Sequence, residues 1–86
     1  MKVNDLRNKI EGIEKLYTPL HWFGDNGEYE GNYTTLEEAK TQAEELKYRY
    51  YNDAKFEIHE LIWSEEEKEY IFQEECGCLI DPIAII

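Results

Sequence analysis

The chain is short of the residues that small proteins use as staples and as catalysts. It has two cysteines, Cys76 and Cys78, separated by a single glycine. Two thiols are too few for a disulfide framework. Serine occurs once, at Ser64, inside a charged stretch. There is no nucleophile elbow, no P-loop and no dinucleotide-binding glycine motif, so the sequence predicts a protein that is not an enzyme. Cations are scarce as well: 9 Lys and Arg stand against 20 Asp and Glu, a formal net charge of −11. That deficit argues against direct nucleic-acid binding, which works by neutralising phosphates with Lys and Arg. It argues equally against docking on an anionic membrane surface. No apolar run approaches the roughly 18 residues of a membrane-spanning helix. The N-terminus, MKVNDLRNKIEG, lacks the apolar core of a signal peptide, which predicts a cytoplasmic protein.

What the chain does have is aromatic mass. Its 86 residues include 12 aromatics, and 42% of the side chains are hydrophobic. That is too rich for a disordered acidic segment and enough for one small domain spanning residues 1–86. Leu6, Ile10, Ile13 and Tyr17 recur at helical spacing, predicting an N-terminal helix from about Asn4 to Leu16, with Asn4 or Asp5 as cap. Leu20 to Phe23 reads as a strand. Asn26-Gly27 is the strongest short hairpin signal, and Glu28 to Tyr33 would be the returning strand. Gly31 marks a bulge or a close approach within it.

The second helix is the best specified. Thr35-Leu36-Glu37-Glu38 is a capping box, and Leu36, Ala39, Ala43, Leu46 and Tyr50 form a narrow apolar stripe that ends near Asn52-Asp53. Lys55 to Trp63 and Lys68 to Glu74 then read as a second hairpin. Apolar residues on both parities, such as Ile58 and Leu61, predict either a bulge near His59-Glu60 or a strand buried on both faces. The last residues, from Cys76 to Ile86, are apolar and nearly uncharged, so they should dock as a tail. The expectation is an α+β domain. An antiparallel sheet of four or five strands, made of two hairpins, packs on a central helix, with an N-terminal helix and a docked C-terminal tail.

Two groupings invite a metal reading and neither has the right spacing. Cys76-x-Cys78 with His21 and His59 offers zinc ligand types, but the cysteines are too close and the histidines 38 positions apart. Asp25 to Glu30 offers oxygens, but without the calcium-loop pattern. No cofactor and no metal site is expected.

The distribution of charge carries the functional signal. Residues 1–18 sum to +1, so residues 19–86 carry −12. Between Glu57 and Glu75 there are eight glutamates and one lysine. Glu57, Glu60, Glu65, Glu66, Glu67, Glu69 and Glu74 would decorate one hairpin, while Glu37 and Glu44 lie on the central helix beside the aromatic Tyr48. Clustered carboxylates imitate a run of phosphates, and tyrosines near them supply interface anchors. The expected partner is a basic nucleic-acid-binding protein, held on its phosphate-binding surface. In size, acidity and lack of motif the chain resembles, in general character, the small phage and mobile-element proteins that block host nucleic-acid enzymes, CRISPR and restriction inhibitors among them. That resemblance implies an inhibitor working in the cytoplasm of a bacterial host. The alternative is an interaction or structural module whose acidity serves solubility, with the aromatics and the tail forming a homodimer or partner contact.

Overall fold

The computed structural model describes residues 1–50, 54–75, 78–79 and 81–86. It shows a curled antiparallel sheet and one helix, an α+β domain. In chain order the elements are β1 (Lys15–Phe23), β2 (Asn26–Tyr29), α1 (Leu36–Arg49), β3 (Lys55–Ser64), β4 (Glu69–Phe72), β5 (Glu74–Glu75), β6 (Cys78–Leu79) and β7 (Ala84–Ile85). The main sheet runs β2-β1-β3-β4, with β7 also paired to β3, and β5 and β6 form a separate small ladder. No helix among the described residues is long and apolar enough to cross a membrane.

β1 and β3 are the spine. Their register is unbroken from Lys15↔Ile62 to Trp22↔Lys55, so there is no bulge near His59-Glu60. The mixed parity instead reports a strand buried on both faces. Phe56 and Ile58 pack with Ala39 and Ala43 of α1, while Leu61 packs with Val3, Leu16 and Tyr70 on the opposite side. Pro19 sits within β1, where a missing N–H would ordinarily break a ladder. Tyr17 donates to and accepts from Tyr33 rather than β3. By alternation, Pro19 two residues on also turns its backbone away from β3, and its carbonyl accepts from the Glu30 N–H at 2.9 Å, so the missing N–H costs no bond between β1 and β3.

The N-terminal helix is not formed. Residues 3–14 are turns and loops that cross the sheet face opposite α1. The Asp5 carboxylate accepts from the Arg7 N–H at 3.0 Å and from Asn8 Nδ2 at 2.6 Å, closing a local turn in place of a helical one. Gly12 then adopts φ +80°, and the Ile13 N–H donates to the Ile10 carbonyl at 2.9 Å. Leu6, Ile10 and Ile13 still pack on the core around Leu16, Leu61 and Tyr70. Tyr17, counted on the same stripe, belongs to β1 and packs on the α1 side.

The first hairpin turns two residues earlier than Asn26-Gly27. Phe23 pairs with Asn26, leaving Gly24-Asp25 as the two-residue turn, with Gly24 at φ +58°. Gly27 lies in β2, and its lack of a side chain matters for space: a Cβ there would stand 2.9 Å from Leu20 Cδ1. The return strand is Asn26–Tyr29, shorter than expected, and Tyr33 rejoins the sheet as an isolated bridge. Between them Gly31, at φ +101°, lies against the Lys2 and Tyr33 side chains.

α1 begins as its cap dictates. The Thr35 hydroxyl accepts from the Glu38 N–H at 3.2 Å. The Glu38 carboxylate does not return to the Thr35 amide. It takes the Thr34 and Thr35 hydroxyls and pairs with the N-terminal ammonium of Met1. Ala39 and Ala43 are fully buried, Leu36 and Leu46 flank them, and Tyr50 is exposed as the C-cap. The expected end at Asn52-Asp53 lies outside the described residues. At the other terminus Ala84 pairs with Ile58, and Ile86 exchanges backbone hydrogen bonds with Phe56. The tail positions Cys76, Gly77 and Ile80 are outside the described residues.

Candidate acidic interface

The second hairpin, β3 to β4, carries most of the predicted site, and its geometry divides the acids into two groups. Alternation along β3 sends Glu57 and Glu60 to opposite faces. Glu57 pairs with Lys55 at 3.3 Å and with His59 at 3.0 Å, with its side chain 13% exposed. Burial pushes its pKa up, but hydrogen bonds from His59 and Lys55 and the nearby Trp22 indole outweigh that, so the carboxyl is held below its ordinary 4.5. The indole N–H of Trp22 is buried and makes no hydrogen bond of good geometry. Glu60 pairs with Lys15 at 3.5 Å and is also largely covered. These two carboxylates are strand positions neutralised by their neighbours.

The turn and the far strand behave differently. The loop spans residues 65–68 and closes through the Lys68 N–H to the Ser64 carbonyl at 2.8 Å, with Lys68 at φ 56°. Glu65 accepts from Lys68 Nζ at 3.0 Å and from the Trp63 indole at 3.1 Å. The Lys68 bond is the main reason its pKa is lowered. Glu69 lies 4.0 Å from Arg7 Nε. Glu66, Glu67 and Glu74 are exposed and, among the ion pairs of the described residues, have no cation within 4.0 Å. On α1, Glu37 and Glu44 are exposed, and Tyr48 is 88% exposed. Glu37 lines a different depression, with Tyr33, Glu38, Thr41 and Gln42.

Glu67, Glu69 and Glu74 share a groove of about 430 Å³ along β4. Its floor is apolar: Leu6, Leu61, Tyr70 and Phe72. Tyr70 is held rigidly there, donating to the Ile13 carbonyl at 2.8 Å and accepting from the Ile10 N–H at 3.0 Å. Phe72 stacks on Tyr29 with ring centroids 4.6 Å apart, although β2 and β4 are opposite ends of the strand order. The sheet therefore curls until its two edges meet above the face opposite α1. Burial raises the Tyr29 phenol pKa, and the nearby Glu74 charge adds to it.

The three rim acids are visible in the sequence as a charge cluster, but the groove is not, because its floor joins residues 6, 61, 70 and 72. One further cluster does not stand out in the sequence. His21, Glu28 and Glu30 bring a ring nitrogen and two carboxylate oxygens within 4.8 Å of one another. His21 and Glu28 are direct cross-strand partners, and His21 Nδ1 is 3.9 Å from Glu30. The legible signal was a stretch free of Lys and Arg from residue 16 to residue 39. The two histidines of the zinc grouping are not brought together. His59 pairs with Thr18 and His21 with Phe56, which places them on opposite faces of the sheet. The Cys76 half of that grouping is outside the described residues.

No protein-family model, curated protein or solved structure matches this chain. The functional reading therefore rests on the geometry above.

Proposed function

We propose that the chain is a protein-binding inhibitor or regulator that occupies the basic, phosphate-binding surface of a nucleic-acid-binding protein. It would do so by presenting carboxylates, without binding nucleic acid or turning over a substrate. The observation that carries the reading is the acidic rim of the second hairpin, exposed at Glu66, Glu67 and Glu74 and half-buried at Glu69, of which Glu67, Glu69 and Glu74 line an apolar groove. Exposed like charge steers an oppositely charged partner and raises its association rate, while an apolar floor supplies contact area that solubility alone does not require. The expected surface is narrowed by the geometry. Glu57 and Glu60 are occupied by Lys55, His59 and Lys15, so they support the strand and leave the rim to bind.

A second reading has its own support. Carboxylates interleaved with Lys15, Lys55, Lys68 and Arg49 describe a solvated surface, in which case the chain is an interaction module or homodimer whose acidity serves solubility. Competition separates the two. Basic proteins captured from a bacterial lysate are purified, and their binding to duplex DNA or RNA is measured with and without this protein. Mutually exclusive binding supports the proposal. Simultaneous binding of both ligands leaves the interaction module.

A further inference from the structure

We infer that the groove beside β4 is a seat for an arginine side chain of a basic partner. The inference deepens the proposed function and rests on it for the identity of the partner, but its chemistry is local. Leu6 and Phe72, both half-buried, offer an apolar bed for the aliphatic stem, with the buried Tyr70 fixed behind them; the stem is the part of a long cationic side chain that buries readily. Glu67, Glu69 and Glu74 stand around that bed as acceptors for the head group. Arginine suits the arrangement better than lysine. Its planar head takes carboxylates in pairs and lies flat against an aromatic face, whereas an ammonium is a compact, strongly hydrated point charge.

Two further observations point the same way. The chain's own Arg7, 85% exposed, already reaches to 4.0 Å from Glu69, so a guanidinium is drawn to this rim from outside. Backbone geometry adds a donor and an acceptor. The Tyr70 N–H leaves the β3 ladder and donates to the Leu6 carbonyl, so Phe72, two residues on, also turns its N–H and C=O outward beside the groove. A partner segment that inserts its arginine can therefore bond the edge of β4 with its own backbone.

The test uses the full, isotope-labelled chain at physiological ionic strength, where long-range attraction is screened over about 8 Å. It is titrated with the peptide acetyl-Ala-Arg-Ala-Arg-Ala-amide, with the lysine equivalent, and with the uncharged citrulline equivalent. The arginine peptide should bind saturably, with amide shifts centred on Leu6 and on residues 67–74. The lysine peptide should bind several-fold more weakly, and citrulline not at all. The triple variant Glu67→Gln, Glu69→Gln, Glu74→Gln should keep its melting temperature and lose the binding. Arg7→Ala should strengthen binding roughly 1.5- to 5-fold, the range set by losing a competing exposed ion pair. Equal affinity for all three peptides, shifts centred on α1 or on the first hairpin, or an unaffected triple variant would overturn the inference. Failure here is distinguishable from failure of the proposed function. If the triple variant still competes with nucleic acid for a captured partner, the groove is wrong and the inhibitor reading stands. If the groove binds the peptide while partner and nucleic acid bind together, the reverse holds.

Discussion

Tyr70 shows how much a single side chain does in this molecule. It is 1% exposed, floors the groove and fastens the N-terminal segment with two hydrogen bonds, to Ile10 and Ile13. Tyr70→Phe keeps the ring and leaves the Ile10 N–H without its acceptor. The expected loss is about 1–3 kcal/mol in urea unfolding. A midpoint equal to that of the parent would show that the hydroxyl anchors nothing. Gly12 gives a test of sign. In a helix, Gly→Ala would stabilise by about 0.5–1 kcal/mol. At φ +80°, with no atom near enough to clash, Gly12→Ala should instead destabilise by about 1 kcal/mol, which the same unfolding experiment reads. Glu57 sets an acid limit. Its folded-state carboxyl lies below 4.5, so its stabilising contribution is present above that pH and is lost as pH falls through the folded value. Unfolding midpoints measured from neutral pH to below 4.5 should fall, and Glu57→Gln should make the fall shallower. Glu38 and Glu65, which are also lowered, act in the same direction from exposed positions and leave a residual slope.

Whole elements were legible to different degrees, for identifiable reasons. α1 was readable because its signals agree: a threonine cap, acidic first turn, basic last turn and a stripe of small residues. Ala43 is fully buried under the sheet, so Ala43→Leu should overpack this contact and cost about 1–3 kcal/mol, measured by denaturant unfolding. A neutral result would mean that α1 does not lie close on Phe56 and Ile58. The second hairpin was readable from its β-branched and aromatic content, with ends within a residue or two of those observed. The N-terminal segment misled because helical spacing reports which residues face the core, and a looped path half-buries Leu6, Ile10 and Ile13 against it without a helix. Local competition from Asp5 and the left-handed Gly12 decided against the helix. The shifted first turn has a similar cause: Gly24 and Gly27 both accept a turn by composition, but Gly24 takes the positive φ of the turn while Gly27 provides the space that Leu20 needs in the strand.

At the scale of the molecule, the sheet's curl is what creates the candidate site. Rings from opposite edges, Tyr29 and Phe72, meet at 4.6 Å, and the N-terminal segment packs beneath them against Tyr70 and Leu61. Sequence supplied the acids of the rim, but no pattern in it shows that Leu6 and Phe72 line one groove, since that depends on the looped path of residues 3–14. A net charge of −11 repels itself on folding and attracts cations from a distance, so binding to a basic partner should be fast and salt-sensitive. The central claim is that the exposed rim of the second hairpin, rather than the overall charge, is the recognition surface. The most direct measurement is the association rate with a captured basic protein, at low and at physiological salt, for the parent chain and for two charge-matched variants. One removes three rim charges, with Glu67→Gln, Glu69→Gln and Glu74→Gln. The other removes three exposed charges elsewhere, with Glu11→Gln, Asp25→Asn and Asp81→Asn. The first variant should associate much more slowly and lose most of its salt dependence, while the second stays close to the parent. Equal slowing of both variants would show that only net charge matters and would contradict the central claim.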